Sequence, residues 1–265
     1  MPSYETTAVV FLDVLGTQAR RTFDEKFSVH RLFHLEMKQH EARQKELPNV
    51  IYTRELRSFS DCVYIFYRYK TDIEESRKND LNLIYTCLFN TSITLLWILN
   101  AGFLVRGGAT LDNCFIDELG FFGPAVEEAY SLEHKNKRLR YPRINISDNL
   151  GSRLFECEQN LERGEFLDSV FTGIPKLILR DDNGFFLNVF YPLEISNSLQ
   201  YNDQILELRG LKDHVSKMAI SAQIKFADDE DTKEKYQWMK AFADRSEIKL
   251  NPDVVSGTWS NVIDS

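Results

Sequence analysis

Ala8-Val9-Val10-Phe11-Leu12-Asp13-Val14-Leu15-Gly16 joins an apolar run to a carboxylate and a glycine. Its first five residues are apolar and mostly β-prone, the pattern of a central strand covered on both faces. Asp13 closes the run, and Gly16 allows a tight exit. A carboxylate in such a place is costly to bury unless a cation or a hydrogen-bond network compensates it. Asp61 poses the same problem in Arg57-Ser58-Phe59-Ser60-Asp61-Cys62-Val63-Tyr64. Val50 to Phe59 and Cys62 to Tyr69 are β-rich, so the polar break between them predicts an antiparallel hairpin with Asp61 at or near its turn. Asp13 and Asp61 are then expected to meet at adjacent strand ends, as a candidate site for divalent metal.

Phe23 to about Glu46 reads as a surface helix bounded by Pro48. A second helix is expected from Ile73 or Asp80 to Asn100, and a strand from Phe103 to Leu111 that Cys114 to Ile116 continues. The pair Gly107-Gly108 in that strand permits close approach of backbone or ligand, and suits a bulge better than a phosphate cradle. Pro124 opens a third helix reaching about Lys137. Ile144-Asn145-Ile146 reads as a short strand, and Ser147-Asp148 as the cap of a helix reaching Asn160. Leu177 to Arg180 and Phe185 to Phe190 form a hairpin through Asp181-Asp182-Asn183-Gly184. Helices are expected near 202–226 and 230–244, with an irregular tail after Pro252. The order predicts an α+β fold: a ferredoxin-like βαββαβ antiparallel sheet with helices on one face. Residues 1–195 form this domain, and residues 196–265 are its helical C-terminal extension.

Composition narrows the function classes. With 265 residues, 43% of them hydrophobic, the chain can bury a substantial core. Its net charge of −8, with no long basic block, argues against a long nucleic acid as partner. A small nucleotide fits better, because a metal offsets its phosphates locally. The apolar stretch from Leu88 to Phe103 is broken by Asn90, Thr91, Ser92, Thr94 and Asn100, well short of the ~20 apolar residues that span a bilayer, so it reads as a buried helix. Met1-Pro2-Ser3-Tyr4-Glu5 has no signal-peptide character. Cys62, Cys87, Cys114 and Cys157 lack CxxC spacing and read as reduced core thiols, which suits a cytoplasmic protein.

Other polar features read as structural. His30 and His34 share a helix face without a third ligand and suit a solvated surface. Glu127 and Glu128 complement the dipole at a helix N-terminus. Lys135, Lys137, Arg138 and Arg140 read as the basic end of that helix.

Phe11-Leu12-Asp13-Val14-Leu15-Gly16, Phe59-Ser60-Asp61-Cys62-Val63-Tyr64, Val105-Arg106-Gly107-Gly108 and Gly123-Pro124-Ala125-Val126-Glu127-Glu128-Ala129-Tyr130-Ser131-Leu132-Glu133 occur in this order. The series resembles the landmarks of class III nucleotide cyclases, and more closely the bacterial pyrimidine cyclases of the Pycsar antiphage system. The resemblance spans residues 6–145. It implies that Asp13 and Asp61, with the Val14 carbonyl, bind two Mg²⁺ or Mn²⁺ ions. One ion would lower the pKa of the ribose 3′-hydroxyl and the other would hold the triphosphate. The product would be a 3′,5′-cyclic nucleotide plus pyrophosphate.

The same resemblance implies that the backbone of Val14, Leu15, Gly16 and Thr17 lies against the phosphates. Arg57 stands where purine cyclases carry a base-reading lysine, and Tyr52 is a candidate wall of the base pocket. Glu127 and Ser131 stand where the purine enzymes hold their transition-state Asn and Arg, and neither supplies a cation. Arg106 is one candidate to replace it, with a simple salt-bridge role as the equal alternative. The implied substrate is a pyrimidine triphosphate, UTP favoured over CTP, and the implied assembly is a homodimer with composite sites. An idle nucleotide-sensing homologue and a nucleotidyltransferase making oligonucleotides are the alternatives.

Overall fold

The computed structural model describes residues 2–16, most of 22–34, and residues 50–134, 141–162, 176–195 and 210–246. The strands are β1 (Glu5–Val14), β2 (Tyr52–Phe59), β3 (Cys62–Tyr69), β4 (Val105–Ile116), β5 (Phe121–Phe122), β6 (Ile144–Ile146), β7 (Ile178–Asp181) and β8 (Gly184–Leu187). The helices are α1 (Asp80–Asn100), α2 (Pro124–His134), α3 (Asp148–Glu162), the short α4 (Tyr191–Glu194), α5 (Leu211–Lys225) and α6 (Glu230–Arg245). The described residues between Phe23 and His34 are largely helical. The rest of the helix expected to reach Glu46, the basic run from Lys135 to Arg140, residues 202–209 and the tail after Pro252 lie outside the described residues.

One sheet runs in the order β2-β3-β1-β4-β6-β8-β7, with β5 paired to the end of β4. β1 is central, antiparallel to β3 on one side and to β4 on the other. Its even-numbered residues Ala8, Val10, Leu12 and Val14 enter the larger core with Leu88, Leu96 and other α1 residues. Its odd-numbered residues Val9 and Phe11 enter a smaller core with Phe66, Ala125 and Ala129. Burying each such side chain contributes about 1.5–3 kcal/mol before entropy is counted. Helices therefore cover both faces of the sheet, not the single face expected. The cause lies in β1 itself, because a strand apolar on both sides needs cover on both.

The sheet is also not purely antiparallel. β6 runs parallel to β4, as a strand reached through the crossover helix α2 must. Nor do Gly107 and Gly108 form a bulge. The β1 and β4 register continues unbroken from Glu5 opposite Cys114 to Val14 opposite Val105. A Cβ on Gly107 would lie 1.9 Å from the Phe11 carbonyl oxygen, and one on Gly108 would lie 2.2 Å from that of Ala129. The glycines let α2 and the neighbouring backbone approach this strand.

The two hairpins fall where expected. Ser60-Asp61 turns between β2 and β3, with Ser60 at φ 56°, and Asp182-Asn183 turns between β7 and β8. α1 is the one described helix long and apolar enough to cross a membrane, and 56% of its apolar window is buried within the fold. Leu211 and Val215 of α5 and Met239 and Phe242 of α6 join the larger core. The C-terminal helices thus share the core of the sheet.

Candidate functional site

The register of three strands assembles the site at the end of β1. Asp13 stands opposite Cys62 of β3 on one side and opposite Arg106 of β4 on the other. Asp61, in the hairpin turn, is tied to β1 through its backbone, its carbonyl accepting from the Val14 N–H at 3.1 Å. One ligand atom each from Asp13, Asp61 and Cys62 lies within 4.8 Å of the others. Among the described residues this is the one such group of three acidic, histidine or cysteine side chains.

Charge shapes the group further. Arg106 donates to Oδ2 of Asp13 from Nε at 2.9 Å and approaches it with Nη2 at 2.8 Å. Its Nε also contacts Glu133 of α2, a carboxylate with 2% side-chain exposure, whose other oxygen lies 2.5 Å from His134 Nδ1. Cys62 Sγ points at Asp13 Oδ1 across 3.7 Å. Burial, then the two aspartates, push the Cys62 thiol up to about 12, so it stays protonated. Two carboxylates, Asp13 and Glu133, thus meet one guanidinium, and Asp61 adds a third beside Asp13. A hard divalent cation fits this oxygen-rich, net negative set. A soft thiolate-binding metal does not.

The structure divides the other predicted residues. Arg57 lies on the Asp13 face, its Nε donating to Glu55 at 2.7 Å and its Nη2 to the Asp117 carbonyl at 2.9 Å. Tyr52 lies on the opposite face, its ring 5.3 Å from Tyr67 in the larger core, so it walls no pocket with Arg57. Five residues separate the two, and an odd offset reverses the face of a strand.

The amides of Val14 and Leu15 are also taken, the first by Asp61 and the second by the Leu104 carbonyl at 2.8 Å. They have no donor left for phosphates. Val14 buries its side chain in the larger core. Gly16 is exposed at φ 79°, and Thr17 lies outside the described residues.

On α2, Glu127 and Ser131 point to solvent, while Glu128 accepts from the Thr110 hydroxyl. His30 and His34 are both exposed, as expected, and His34 Nε2 lies 3.4 Å from the Ser58 hydroxyl.

Sequence reasoning missed Glu133 and Cys62 as members of the site. The signal for Cys62 was available, because a two-residue turn at Ser60-Asp61 brings it opposite the end of β1. Glu133 had no such signal, since its role depends on where α2 crosses β4. No family model and no curated protein matches the chain.

Proposed function

We propose that the chain is a pyrimidine nucleotide cyclase that converts UTP to 3′,5′-cyclic UMP and pyrophosphate, with CTP as the alternative substrate. The observation that carries this reading is the meeting of Asp13 and Asp61 at neighbouring strand ends. In the reaction the 3′-oxygen bonds to the α-phosphorus, and the bond from that phosphorus to its bridging oxygen breaks. Pyrophosphate leaves, and the hydroxyl proton passes to solvent.

Asp13, through Oδ1, and Asp61 would hold Mg²⁺ or Mn²⁺, which when bound supplies Lewis-acid stabilisation of the triphosphate and a more acidic 3′-hydroxyl. Arg106 orients Asp13. Arg57 is the base-reading candidate on the same face, once it exchanges the Asp117 carbonyl for a pyrimidine carbonyl. A homodimer with composite sites accords with the exposed Phe59, Leu119 and Tyr130 on the α2 side of the sheet. A cytoplasmic role in antiphage signalling follows from the family resemblance.

Incubating the purified chain with each of the four NTPs and Mn²⁺, with product masses read by mass spectrometry, tests the proposal. Cyclic UMP is the expected product; no cyclic nucleotide from any NTP would overturn it. One observation favours an idle sensor as the second reading: Arg106 already compensates Asp13. That reading expects saturable NTP binding without turnover.

A further inference from the structure

A cavity of about 290 Å³ lies where α5 and α6 meet the exit of β1. Leu15 and Gly16 form one wall, Gly102 and Leu104 a second, and the two helices with their connection form the remainder. Among the described residues three lysines, Lys217, Lys225 and Lys235, line it and no carboxylate does. In a chain of net charge −8 this is a local reversal of sign.

Lys235 pairs at 2.8 Å with Asp231, which is not a lining residue. The Lys225 ammonium lies 5.6 Å above the Phe226 ring, and Lys217 has no carboxylate partner among the described residues. Nε2 of His214, also on the wall, is buried without a hydrogen-bond partner among the described residues. A buried polar nitrogen left in this way costs free energy, and an anion seated beside it and the lysines relieves that cost. The volume is near the lower limit of small-molecule pockets, about 300 Å³, and exceeds the need of a single ion. Leu104, Met218, Phe226 and Tyr236 add apolar wall.

We propose that this cavity binds a phosphorylated small molecule, with the lysines and His214 on its phosphate and the apolar wall against its organic part. Leu15 and Gly16, which the family resemblance sets against the substrate's phosphates, line the cavity, but Asp13, Asp61 and Cys62 do not, so binding that survives Asp61→Ala separates this site from the cyclase site. His214 supplies a local probe, because burial and then the Lys217 charge lower its pKa and a bound phosphate reverses the second effect. Lys225 and Lys235 are the other charged groups lining the cavity with it.

The test is imidazole NMR on the full chain in EDTA, titrated with UTP and separately with pyrophosphate. Both probes are expected to shift the His214 resonances saturably and to raise its pKa. Lys217→Ala and Lys225→Ala should each weaken binding about tenfold, the loss of one charge-assisted contact. Both lysines are exposed, so these variants keep the parent melting temperature. Asp61→Ala should bind as the parent does. The proposal is overturned if neither probe moves His214, if both lysine variants bind like the parent, or if Asp61→Ala abolishes binding.

Discussion

Arg106 directs two nitrogens at one oxygen of Asp13, from the residue directly opposite it on the neighbouring strand. Because the same guanidinium also meets Glu133, it is the hinge of a three-residue charge cluster. Asp13 keeps some access to water, whereas Glu133 has almost none.

Removing Arg106 therefore harms Glu133 more than Asp13. Breaking a buried pair costs about 3–5 kcal/mol, and a partly exposed one much less. Arg106→Ala is expected to lose roughly 3 kcal/mol in urea denaturation, in line with that lower bound. Glu133→Gln in the same chain should restore most of the loss, because no buried charge is then left over. A single variant within about 1 kcal/mol of the parent would show that water already screens Glu133.

Asp61→Ala separates chemistry from folding. The turn is held by the Asp61 backbone carbonyl, which alanine retains. Asp61 is half-buried, so the fold should lose about 1 kcal/mol, the centre of the range for single substitutions. Mn²⁺-dependent cyclic product should vanish in the mass-spectrometric assay. Undiminished turnover would remove Asp61 from the proposed mechanism.

The local parts of this site were legible because they depend on adjacent residues. The run Ala8 to Leu12 announced a strand buried on both faces, and Ser60-Asp61 announced a turn that returns β3 beside β1. The same run also contradicted the one-faced sheet, since Val9 and Phe11 need a cover as much as Val10 and Leu12 do. What stayed hidden was crossing geometry. The partnership of Glu133 with Arg106 and the parallel pairing of β6 with β4 both depend on how α2 lies over the sheet. The engaged amides of Val14 and Leu15 likewise follow from partners at Asp61 and Leu104, about 50 and 90 residues away in sequence.

Gly108 shows how closely α2 lies. A methyl group there would sit 2.2 Å from the Ala129 carbonyl oxygen and 2.6 Å from Leu132 Cβ. Helix backbone cannot rotate away as a side chain can, so Gly108→Ala should exceed the usual 1–3 kcal/mol cost of overpacking, reaching about 3 kcal/mol or more. Gly16→Ala meets open space at φ 79° and should cost only the left-handed strain, about 1–2 kcal/mol. Urea midpoints of the two variants measure the contrast. Equal losses would mean that α2 can shift to admit a methyl group.

Glu158 of α3 makes stability depend on pH. It accepts from the Leu177 and Ile178 amides at 2.9 and 3.3 Å and from the Tyr85 hydroxyl at 3.1 Å. Burial outweighs these bonds and raises its pKa from 4.5 to about 7. A carboxyl whose folded pKa is raised holds its proton more tightly in the folded state. Its contribution is fully present below pH 4.5, declines as pH rises, and is lost above about 7. A shift of this size corresponds to roughly 3 kcal/mol at most. Glu158→Gln removes the titration while keeping a side-chain oxygen for the amides. Denaturation at pH 5, 6, 7 and 8 should show the parent losing stability relative to this variant up to about pH 7 and then levelling. A pH-independent difference would place the Glu158 charge in contact with water, and the Tyr85 and amide contacts would then account for its role without any titration.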